Sequence, residues 1–471
     1  MLLTIDIGTS NFKSAVWDYG GNLLSHIEIP LSSIKSDGDK HEADSAEWLR
    51  AFENCCRKLE YLSSVEAIVI SGNGPTLVPV TGEPSNGSGG LSVPAENARL
   101  WLDRRAVKYQ EEVSSLMGGF VDAGFFLPKI LSIKYEENDL YNKVKHFLGC
   151  SEYLAFALTG EARTVFPSDG YDRWFWNDNV LKKLDIAASK LPSFIRPGEQ
   201  FGIINPQLAD KFNIKKNVPV VCGGPDFFAA ILGSGVSKPG QACDRTGSSE
   251  GINLCTNRHV NDKRLMSYGH PVPPFWNLSG IINTTGKAIE WCSTLLGLSG
   301  LNDFYALAKE SKPGSGGLIF LPYLTGERAP IWDSSIRGLW RGISLSSARA
   351  EFANSVLEGI GFAIKDVINV MEETGEKTEQ LRVTGSMAAS VHLNQVKADI
   401  TGIEILEGEH KEGELLGLAI IGACFLGKYS SYKEASSAMV KTKNRYVPHL
   451  KNKDIYEQLF ENYKSAGRSL K

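Results

Sequence analysis

Short apolar segments that end in turns rich in glycine, hydroxyl residues and aspartate occur in both halves of the chain. DIGTS at residues 6–10 follows one such segment, and GGPD at residues 223–226 follows another. Helical patterns alternate with these strand patterns, and alternation of this kind predicts α/β domains. A chain of 471 residues exceeds what one hydrophobic core usually supports. We therefore predict two α/β domains, residues 1–235 and 236–471, with a ligand cleft between them.

Composition argues against several classes of partner. The formal net charge is -4, which favours neither nucleic acid nor an anionic membrane. No apolar run reaches the roughly 18 residues of a membrane span, and Asp6 would interrupt a signal peptide. The eight cysteines are scattered without C-x-x-C spacing, which is typical of free buried thiols in a reducing cytosol. We expect a cytoplasmic protein whose partner is a small molecule.

The DIGTS turn joins two predicted strands and is a candidate phosphate site. Backbone N–H and side-chain hydroxyl groups in such a turn can point at phosphate oxygens. Asp6, at the end of the first strand, can hold Mg²⁺ directly or through water, because Mg²⁺ prefers oxygen ligands and keeps much of its hydration. An ordinary hairpin with a capping hydroxyl explains the same residues about equally well.

Asp226 is a second candidate, because it follows a predicted strand and begins a predicted helix. An acidic residue at a helix start is often only a cap. A carboxylate here can also accept the proton of a substrate hydroxyl during phosphoryl transfer. The neighbouring Phe227 can form an apolar wall beside that base, although core packing is the commoner fate of phenylalanine.

Two further turns are candidate nucleotide contacts. DRTGSS at residues 244–249 offers hydroxyl groups after a strand, and TGSM at residues 384–387 has a glycine that lets backbone approach a flat base. The chain has no G-x-x-x-x-G-K-[ST] motif and no G-x-G-x-x-G after a strand. Their absence argues against P-loop kinases and Rossmann dehydrogenases.

The order of these motifs resembles that of the FGGY carbohydrate kinases, the family of xylulokinase and glycerol kinase. The resemblance runs nearly end to end and includes DIGTS, VPVVCGGPDFFAAILGSG, the segments 127–161 and 326–364, VTGSMAASVHLNQVKADITGIEI and LLGLAIIGACFLG. It implies two ribonuclease H-like α/β domains of the actin/hexokinase/Hsp70 ATPase superfamily, with the catalytic cleft between them. It also implies ATP-dependent phosphorylation of a hydroxyl on a small ketose or sugar alcohol.

The resemblance implies roles for individual residues. Asp226 would be the base, and Asp6 would bind Mg²⁺, with Asp226 close to the same ion. The substrate-side segment LWLDRR would place Trp101 and Asp103 near the sugar, although a buried tryptophan beside surface charges is the alternative. Members of the family form dimers and other assemblies, so a homodimer is one expectation. Contacts to ATP are implied for Thr9, Ser10, Thr246, Gly247, Gly385, Ser386 and Asn394.

One segment departs from the family pattern. Xylulokinases carry Met-His-Gly after the strand that corresponds to residues 65–71, and glycerol kinases carry Arg-Glu, whereas this chain has GNGPT at residues 72–76. Those positions touch the sugar in the relatives, and a site that hydrogen-bonds particular hydroxyls discriminates strongly. The identity of the substrate therefore does not transfer, and Asn73 and Thr76 become candidate substrate contacts.

Two other functions fit part of the pattern. An ATPase or phosphohydrolase of the same superfamily would hydrolyse ATP without a sugar acceptor. A catalytically idle sugar sensor would bind sugar without turnover. The presence of Asp6, Asp226 and both hydroxyl-rich turns in one chain argues against the sensor.

Overall fold

The computed structural model describes residues 1–85 and 91–470, which form two compact units. Unit 1 comprises Met1–Gly233 and Glu414–Met439, and unit 2 comprises Ser234–Gly413 and Val440–Lys471. The segment Glu414–Met439 therefore packs with the N-terminal residues, although it lies late in the chain.

Strands and helices alternate along most of the chain, as the sequence pattern predicts. In chain order the strands are β1 (Leu2–Ile7), β2 (Asn11–Trp17), β3 (Leu23–Pro30), β4 (Lys35–Asp37), β5 (Lys40–Ala43), β6 (Ala67–Gly72), β7 (Val78–Val80), β8 (Ala98–Arg99), β9 (His146–Leu148), β10 (Thr164–Val165), β11 (Phe194–Ile195), β12 (Gln200–Ile203), β13 (Pro219–Pro225), β14 (Gln241–Thr246), β15 (Glu250–Thr256), β16 (Met266–Gly269), β17 (Trp276–Ile282), β18 (Ile319–Leu321), β19 (Leu339–Arg341), β20 (Gln380–Gly385), β21 (Glu404–Gly408) and β22 (Thr442–Tyr446). The helices are α1 (Ser45–Lys58), α2 (Gln110–Met117), α3 (Phe126–Glu136), α4 (Asn138–Lys143), α5 (Cys150–Thr159), α6 (Asp178–Lys183), α7 (Pro206–Lys211), α8 (Asp226–Gly233), α9 (Gly286–Leu295), α10 (Leu301–Lys309), α11 (Arg349–Glu373), α12 (Val391–Thr401), α13 (Gly413–Phe425), α14 (Tyr432–Met439) and α15 (Lys453–Arg468).

The main sheet of unit 1 has the strand order β12-β13-β6-β1-β2-β3. Strands β1, β6 and β13 run parallel, so their carboxyl ends meet at one edge of the sheet. Every residue of β1 and β6 is buried. Burial on both faces explains why these strands are almost continuously apolar rather than alternating. Helix α5 packs on one face of β1 and β6, and α13 covers Leu2 and Val69.

The main sheet of unit 2 has the order β16-β17-β15-β14-β20-β21-β22. Its central part repeats the topology of unit 1. The first strand of the hairpin β14–β15 pairs in parallel with β20, just as the first strand of the hairpin β1–β2 pairs in parallel with β6. In each unit the turn of that hairpin is one of the predicted phosphate turns. The duplicated topology therefore accounts for the repeated strand and turn pattern in the sequence.

The longest helix predicted from the sequence, residues 348–371, is confirmed as α11 (Arg349–Glu373). Its start is capped by Glu351, whose side chain accepts a hydrogen bond of 2.8 Å from the Ala348 N–H. The helix presents its apolar residues to the core of unit 2, where Val356, Ile360 and Val367 are fully buried.

All eight cysteines are free, and seven are buried while Cys424 is partly exposed. Among the described residues, no helix is both long and apolar enough to cross a membrane.

Helix α13 lies against α8 at a point where only glycine fits. A Cβ atom on Gly417 would lie 1.9 Å from the carbonyl oxygen of Ala229. We expect Gly417→Ala to destabilise the protein by about 1–3 kcal/mol, because the two helices must separate to accept the methyl group. Thermal unfolding followed by tryptophan fluorescence would show a lower midpoint.

Gly119→Ala is the matched control, because a Cβ at Gly119 meets nothing within 4 Å. Its midpoint should stay within about 1–2 °C of the parent, as expected for a free-energy change of a few tenths of a kcal/mol. Equal midpoints for the two variants would show that α13 is not closely packed on α8.

Candidate active site

Two predicted carboxylates lie at the carboxyl-end edge of the unit 1 sheet. Asp6 in β1 is opposite Ser71 in β6, and Ser71 is opposite Gly224 in β13. Asp226 follows β13 directly as the first residue of α8. The Ser71 hydroxyl donates a hydrogen bond of 2.7 Å to Oδ1 of Asp6. The parallel register therefore brings Asp6 and Asp226, 220 positions apart in the sequence, to the same edge.

The electrostatics of this edge are set by burial and by like charges. Burial raises the pKa of Asp6 to about 7, and the negative charges of Glu414 and Asp226 act in the same direction. Lys13, opposite Asp6 in the β1–β2 hairpin, opposes this shift. Neither Glu414 nor Lys13 was predicted from the sequence. Only the fold brings Glu414 of α13 to β1, and Lys13, although close in the sequence, carries no motif.

Carboxylates whose charges oppose one another form an environment that a bound cation would relieve. Among the described residues, no cluster of three or more His, Cys, Asp or Glu side chains is placed to hold a metal ion. At this edge the side chains that could hold a cation are Asp6 and Asp226, whose negative charges act on each other.

Asp226 is half-buried, and its Oδ1 accepts a hydrogen bond of 2.6 Å from the N–H of Phe227. Phe227 is also half-buried, so it is not part of the packed core. Its ring stacks on Tyr171 with a centroid distance of 6.3 Å, and Tyr171 in turn lies 5.0 Å from the Trp174 ring. Phe227, Tyr171 and Trp174 thus form an aromatic group beside Asp226. Of these three residues, the sequence predicted only Phe227.

The first hairpin turn contacts the predicted substrate segment. The indole Nε1 of Trp101 donates a hydrogen bond of 3.1 Å to Oγ1 of Thr9. The turn itself is closed by the Gly8 N–H, which donates to the Asn11 carbonyl at 2.9 Å. Ser10 is exposed. A residue predicted to touch the sugar and one predicted to touch phosphate are therefore in direct contact.

Asn73 and Thr76 are both buried in the loop after β6. Asn73 Nδ2 donates to the Ile7 carbonyl at 2.9 Å, and Thr76 Oγ1 donates to Asn73 Oδ1 at 2.5 Å. These bonds attach the loop to the end of β1, beside Asp6. Because an amide has two N–H donors and a carbonyl oxygen with two lone pairs, Asn73 keeps capacity to donate one further hydrogen bond and to accept one.

Asp103 is fully buried behind Trp101 and accepts hydrogen bonds from Arg105 Nε at 3.0 Å and from the His41 N–H at 2.9 Å. Burial opposes its ionisation, but the hydrogen bonds from Arg105 and His41 outweigh burial and hold the pKa of Asp103 below its usual range. These contacts place Asp103 where it supports the segment that carries Trp101.

Lys129 of α3 is a functional candidate that no sequence pattern predicted, although it lies within residues 127–161, one of the segments that resemble the FGGY family. Its side chain is fully buried, and burial lowers its pKa well below the usual value. Nζ donates to the carbonyl of Pro75 at 2.8 Å and to that of Leu100 at 2.6 Å. The ammonium group therefore joins the loop before Thr76 to the segment before Trp101.

In unit 2, the two predicted nucleotide turns are attached to each other. Thr246 Oγ1 donates to the Thr384 carbonyl at 2.9 Å and accepts from the Met387 N–H at 3.0 Å. Gly385 has φ of +93°, and a Cβ there would lie 2.1 Å from the Thr246 carbonyl oxygen. Glycine is required at this position both by the backbone conformation and by the close approach.

The start of α9, which was not among the predicted contacts, packs against the same turn. Thr285 Oγ1 donates to the Gly247 carbonyl at 3.2 Å, and the Gly286 N–H donates to it at 3.0 Å. Ser386 is exposed, whereas Asn394 is fully buried and its Nδ2 donates to the Ala388 carbonyl at 2.7 Å. Asn394 thus supports the loop that follows Ser386.

Comparisons with known proteins agree with this architecture. Residues 1–233 match the N-terminal domain model of the FGGY family of carbohydrate kinases, and residues 245–425 match its C-terminal domain model. A xylulose kinase of Staphylococcus epidermidis is 28% identical over 493 residues, covering 100% of this chain and 97% of the relative. A gluconokinase of Bacillus subtilis is 23% identical over 500 residues, covering 100% and 96%.

Solved structures show the same fold. A ligand-bound xylulose kinase from Lactobacillus acidophilus superposes with a TM-score of 0.85 at 22% identity, covering 100% of this chain and 98% of that one. A glycerol kinase from Plasmodium falciparum with ADP gives 0.84 at 19% identity, covering 100% and 98%. The fold is thus the two-domain α/β fold of the actin/hexokinase/Hsp70 ATPase type. The chain belongs to the FGGY family of carbohydrate kinases and is a sugar kinase, a phosphotransferase with ATP as donor and an alcohol group as acceptor.

Proposed function

We propose that this kinase transfers the γ-phosphoryl group of ATP to a hydroxyl of a small ketose or sugar alcohol, with Asp226 as the catalytic base. The observation that carries the proposal is the meeting of Asp6, Asp226 and the DIGTS turn at one sheet edge. Phosphoryl transfer depends mainly on positioning and on charge stabilisation, which such an arrangement of fixed groups supplies.

Mg²⁺ is part of the proposal, with Asp6 and Asp226 as the residues that would hold it through water. When bound, Mg²⁺ neutralises charge on the phosphate oxygens. The burial of Asp6 and the like charges beside it support this assignment. Thr9 and Ser10 would donate hydrogen bonds to phosphate oxygens, and Lys13 would add positive charge beside them.

Residues of unit 2 would hold the rest of the nucleotide. Thr246 and Gly247 would contact the phosphate tail, and Gly385 and Ser386 would contact the nucleoside. Asn394 would act through the Ala388 carbonyl rather than by direct contact, since its side chain is fully buried.

The sugar would lie against Trp101, Phe227, Asn73 and Thr76. Aromatic rings offer flat apolar surfaces to sugar C–H groups, and the buried amide and hydroxyl offer hydrogen bonds to particular sugar hydroxyls. Asp103 would position Trp101 from behind. Asp226, beside this group, would accept the proton of the attacking hydroxyl as the bond to phosphorus forms.

Two of the relatives are named xylulose kinase and gluconokinase. These names support a ketose as the first candidate substrate and an aldonate as the second. The GNGPT sequence at residues 72–76 leaves the particular sugar open. Coupled ADP release should be measured with ketopentoses, ketohexoses, polyols, glycerol and gluconate. We expect strong stimulation by one ketose or polyol, whereas equal ADP release with and without every sugar would reject the proposal in favour of a simple ATPase.

The location and assembly expected from the sequence belong to the same proposal. The eight free cysteines support a reducing cytoplasm. A homodimer is proposed as the assembly, and sedimentation of the purified protein would test it.

Asp226→Asn should lower kcat by roughly 10²- to 10⁴-fold, the usual contribution of a positioned base, while ATP still binds. Turnover is measured by the coupled assay and ATP affinity by calorimetry. Asp210→Asn, which alters an exposed carboxylate on unit 1, is the control and should keep parental turnover. Parental kcat in the Asp226 variant would remove this residue from its proposed role.

Asp6→Asn should weaken the dependence on Mg-ATP more than the affinity for sugar. The amide keeps an acceptor for the Ser71 hydroxyl but removes the charge that would hold the hydrated cation. We expect the Mg²⁺ concentration for half-maximal rate to rise about tenfold or more, the loss that removing a charge partner of about 1.4 kcal/mol produces. A larger loss in sugar affinity than in Mg-ATP affinity would contradict the assignment.

Trp101→Phe should lower kcat by about 2- to 10-fold with little change in Tm, because it removes one hydrogen bond but keeps an aromatic ring. Thr9→Val removes the other partner of the same bond, and Thr9→Ser keeps its hydroxyl as a control. Since the Trp101–Thr9 bond is lost in both cases, the double variant Trp101→Phe/Thr9→Val should be no worse than Thr9→Val alone, which also removes the hydroxyl proposed to donate to phosphate. Multiplicative losses in steady-state kcat would show that the two residues act separately.

A further inference from the structure

We propose that Asp244, Glu250 and Lys397 form a buried triad that positions the second phosphate turn for ATP, and that the two carboxyl groups share one proton. This inference rests on the proposed contact of Thr246 and Gly247 with the phosphates. None of the three residues touches a substrate in the proposal, so they are positioning residues.

All three side chains are fully buried in unit 2. Lys397 Nζ donates to Asp244 Oδ2 at 2.8 Å and makes a second, shorter contact with Glu250 Oε1. Lys397 lies on α12, the helix that follows the Gly385–Ser386 loop. The ammonium group therefore joins this helix to both strands of the phosphate hairpin.

The register of the hairpin places the two carboxyl groups on one face. Glu250 in β15 is opposite Thr246 in β14, and Asp244 lies two residues before Thr246. Since side chains alternate along a strand, Asp244, Thr246 and Glu250 share a face, with the two acids as diagonal neighbours. Like charges at such positions repel each other, so the pair requires compensation.

The charge balance of the triad points to one shared proton. Two carboxylates and one ammonium group would leave a net charge of -1 in a fully buried site, which is costly. In the described part of the chain, Asp244 Oδ1 and Glu250 Oε2 have no hydrogen-bond donor. One proton between these two oxygens would give both a hydrogen bond and make the triad neutral. In agreement, burial and then the charge of Asp244 raise the pKa of Glu250 well above its usual value.

The triad joins both strands of the hairpin to α12, and Thr246 lies opposite Glu250 at the end of β14. Thr246 Oγ1 bonds to the Thr384 carbonyl at the end of β20 and to the Met387 N–H in the loop before α12. The hairpin is therefore attached to the nucleoside segment at two levels, through Thr246 and through Lys397. Attachment at two levels makes the phosphate turn and the nucleoside loop move together.

A role in positioning explains why charged residues occupy this site. Three well-packed apolar side chains at these positions would stabilise unit 2 at least as well as a buried ion pair does. An uncompensated carboxylate below the turn would repel the triphosphate, which the shared proton prevents. The neutral, hydrogen-bonded triad thus fixes the geometry of the turn without adding negative charge to the phosphate site.

Amide substitutions test the charge balance of the three residues. Asp244→Asn or Glu250→Gln leaves one carboxylate to pair with Lys397, so each single variant should change the KM for Mg-ATP by less than about threefold. The double variant leaves the ammonium group buried without a counter-ion. Its KM for Mg-ATP should rise at least tenfold, more than the product of the two single effects. A double variant with parental KM, or a single variant as damaging as the double, would overturn the proposal.

The double variant can also fail to fold, so a neutral triple variant is needed. Asp244→Asn/Glu250→Gln/Lys397→Met removes the buried charge and should fold, as its thermal midpoint would show. Because its hairpin is no longer tied to α12, its KM for Mg-ATP should remain at least tenfold raised while sugar affinity by calorimetry stays parental. Parental Mg-ATP kinetics in the folded triple variant would reject the positioning role. Asp262→Asn, in a partly exposed ion pair of unit 2, is the control.

A failure of the proposed function would look different. Absence of sugar-dependent ADP release in the parent would reject the kinase assignment before any variant is made. Thr246→Val removes the bonds of this side chain to the Thr384 carbonyl and the Met387 N–H. If that variant leaves the KM for Mg-ATP unchanged, the proposed use of this turn for ATP is wrong. If it raises that KM and the folded triple variant does not, the positioning role of Asp244, Glu250 and Lys397 is rejected while the use of the turn for ATP stands.

Discussion

Parallel pairing of β1, β6 and β13 is the constraint on which the candidate site depends. Their register brings Asp6, Ser71 and Asp226 to one edge of the sheet. A slip of one residue would turn Asp6 to the other face of the sheet and remove its hydrogen bond to Ser71. The loops that follow these strands inherit the same placement, because each begins where its strand ends. Ligand sites of open α/β sheets lie at such carboxyl ends.

Two fully buried lysines, Lys129 and Lys397, each hold separate chain segments together. Lys129 binds the carbonyls that precede Thr76 and Trp101, and Lys397 binds the acids on both sides of the second predicted phosphate turn. Burying an ammonium group is expensive unless its hydrogen bonds are satisfied. In both cases the bonds join segments that are distant in sequence, and both groups of segments carry proposed ligand contacts.

The parts of the site that the sequence predicted are those whose chemistry is local. The DIGTS turn, the GGPD turn before α8 and the helix α11 could each be read from glycine, hydroxyl and apolar spacing within a few residues. The hydrogen bond between Trp101 and Thr9 could not, because 92 positions separate the two residues and neither pattern refers to the other. The burial of Asp103 and Asn394 was equally invisible, since a polar residue in a motif carries no signal of what will cover it.

By itself, the amino-acid sequence determined the α/β class, the four hydroxyl- and glycine-rich turns and the order in which they occur. Backbone propensity and apolar spacing act over a few residues, so a single sequence expresses them directly. Only the tertiary structure decided that α13 returns to cover β1, that Glu414 lies near Asp6 and that Lys397 meets Asp244 and Glu250. These are contacts between distant segments, and they form because each segment buries apolar surface that it cannot bury alone.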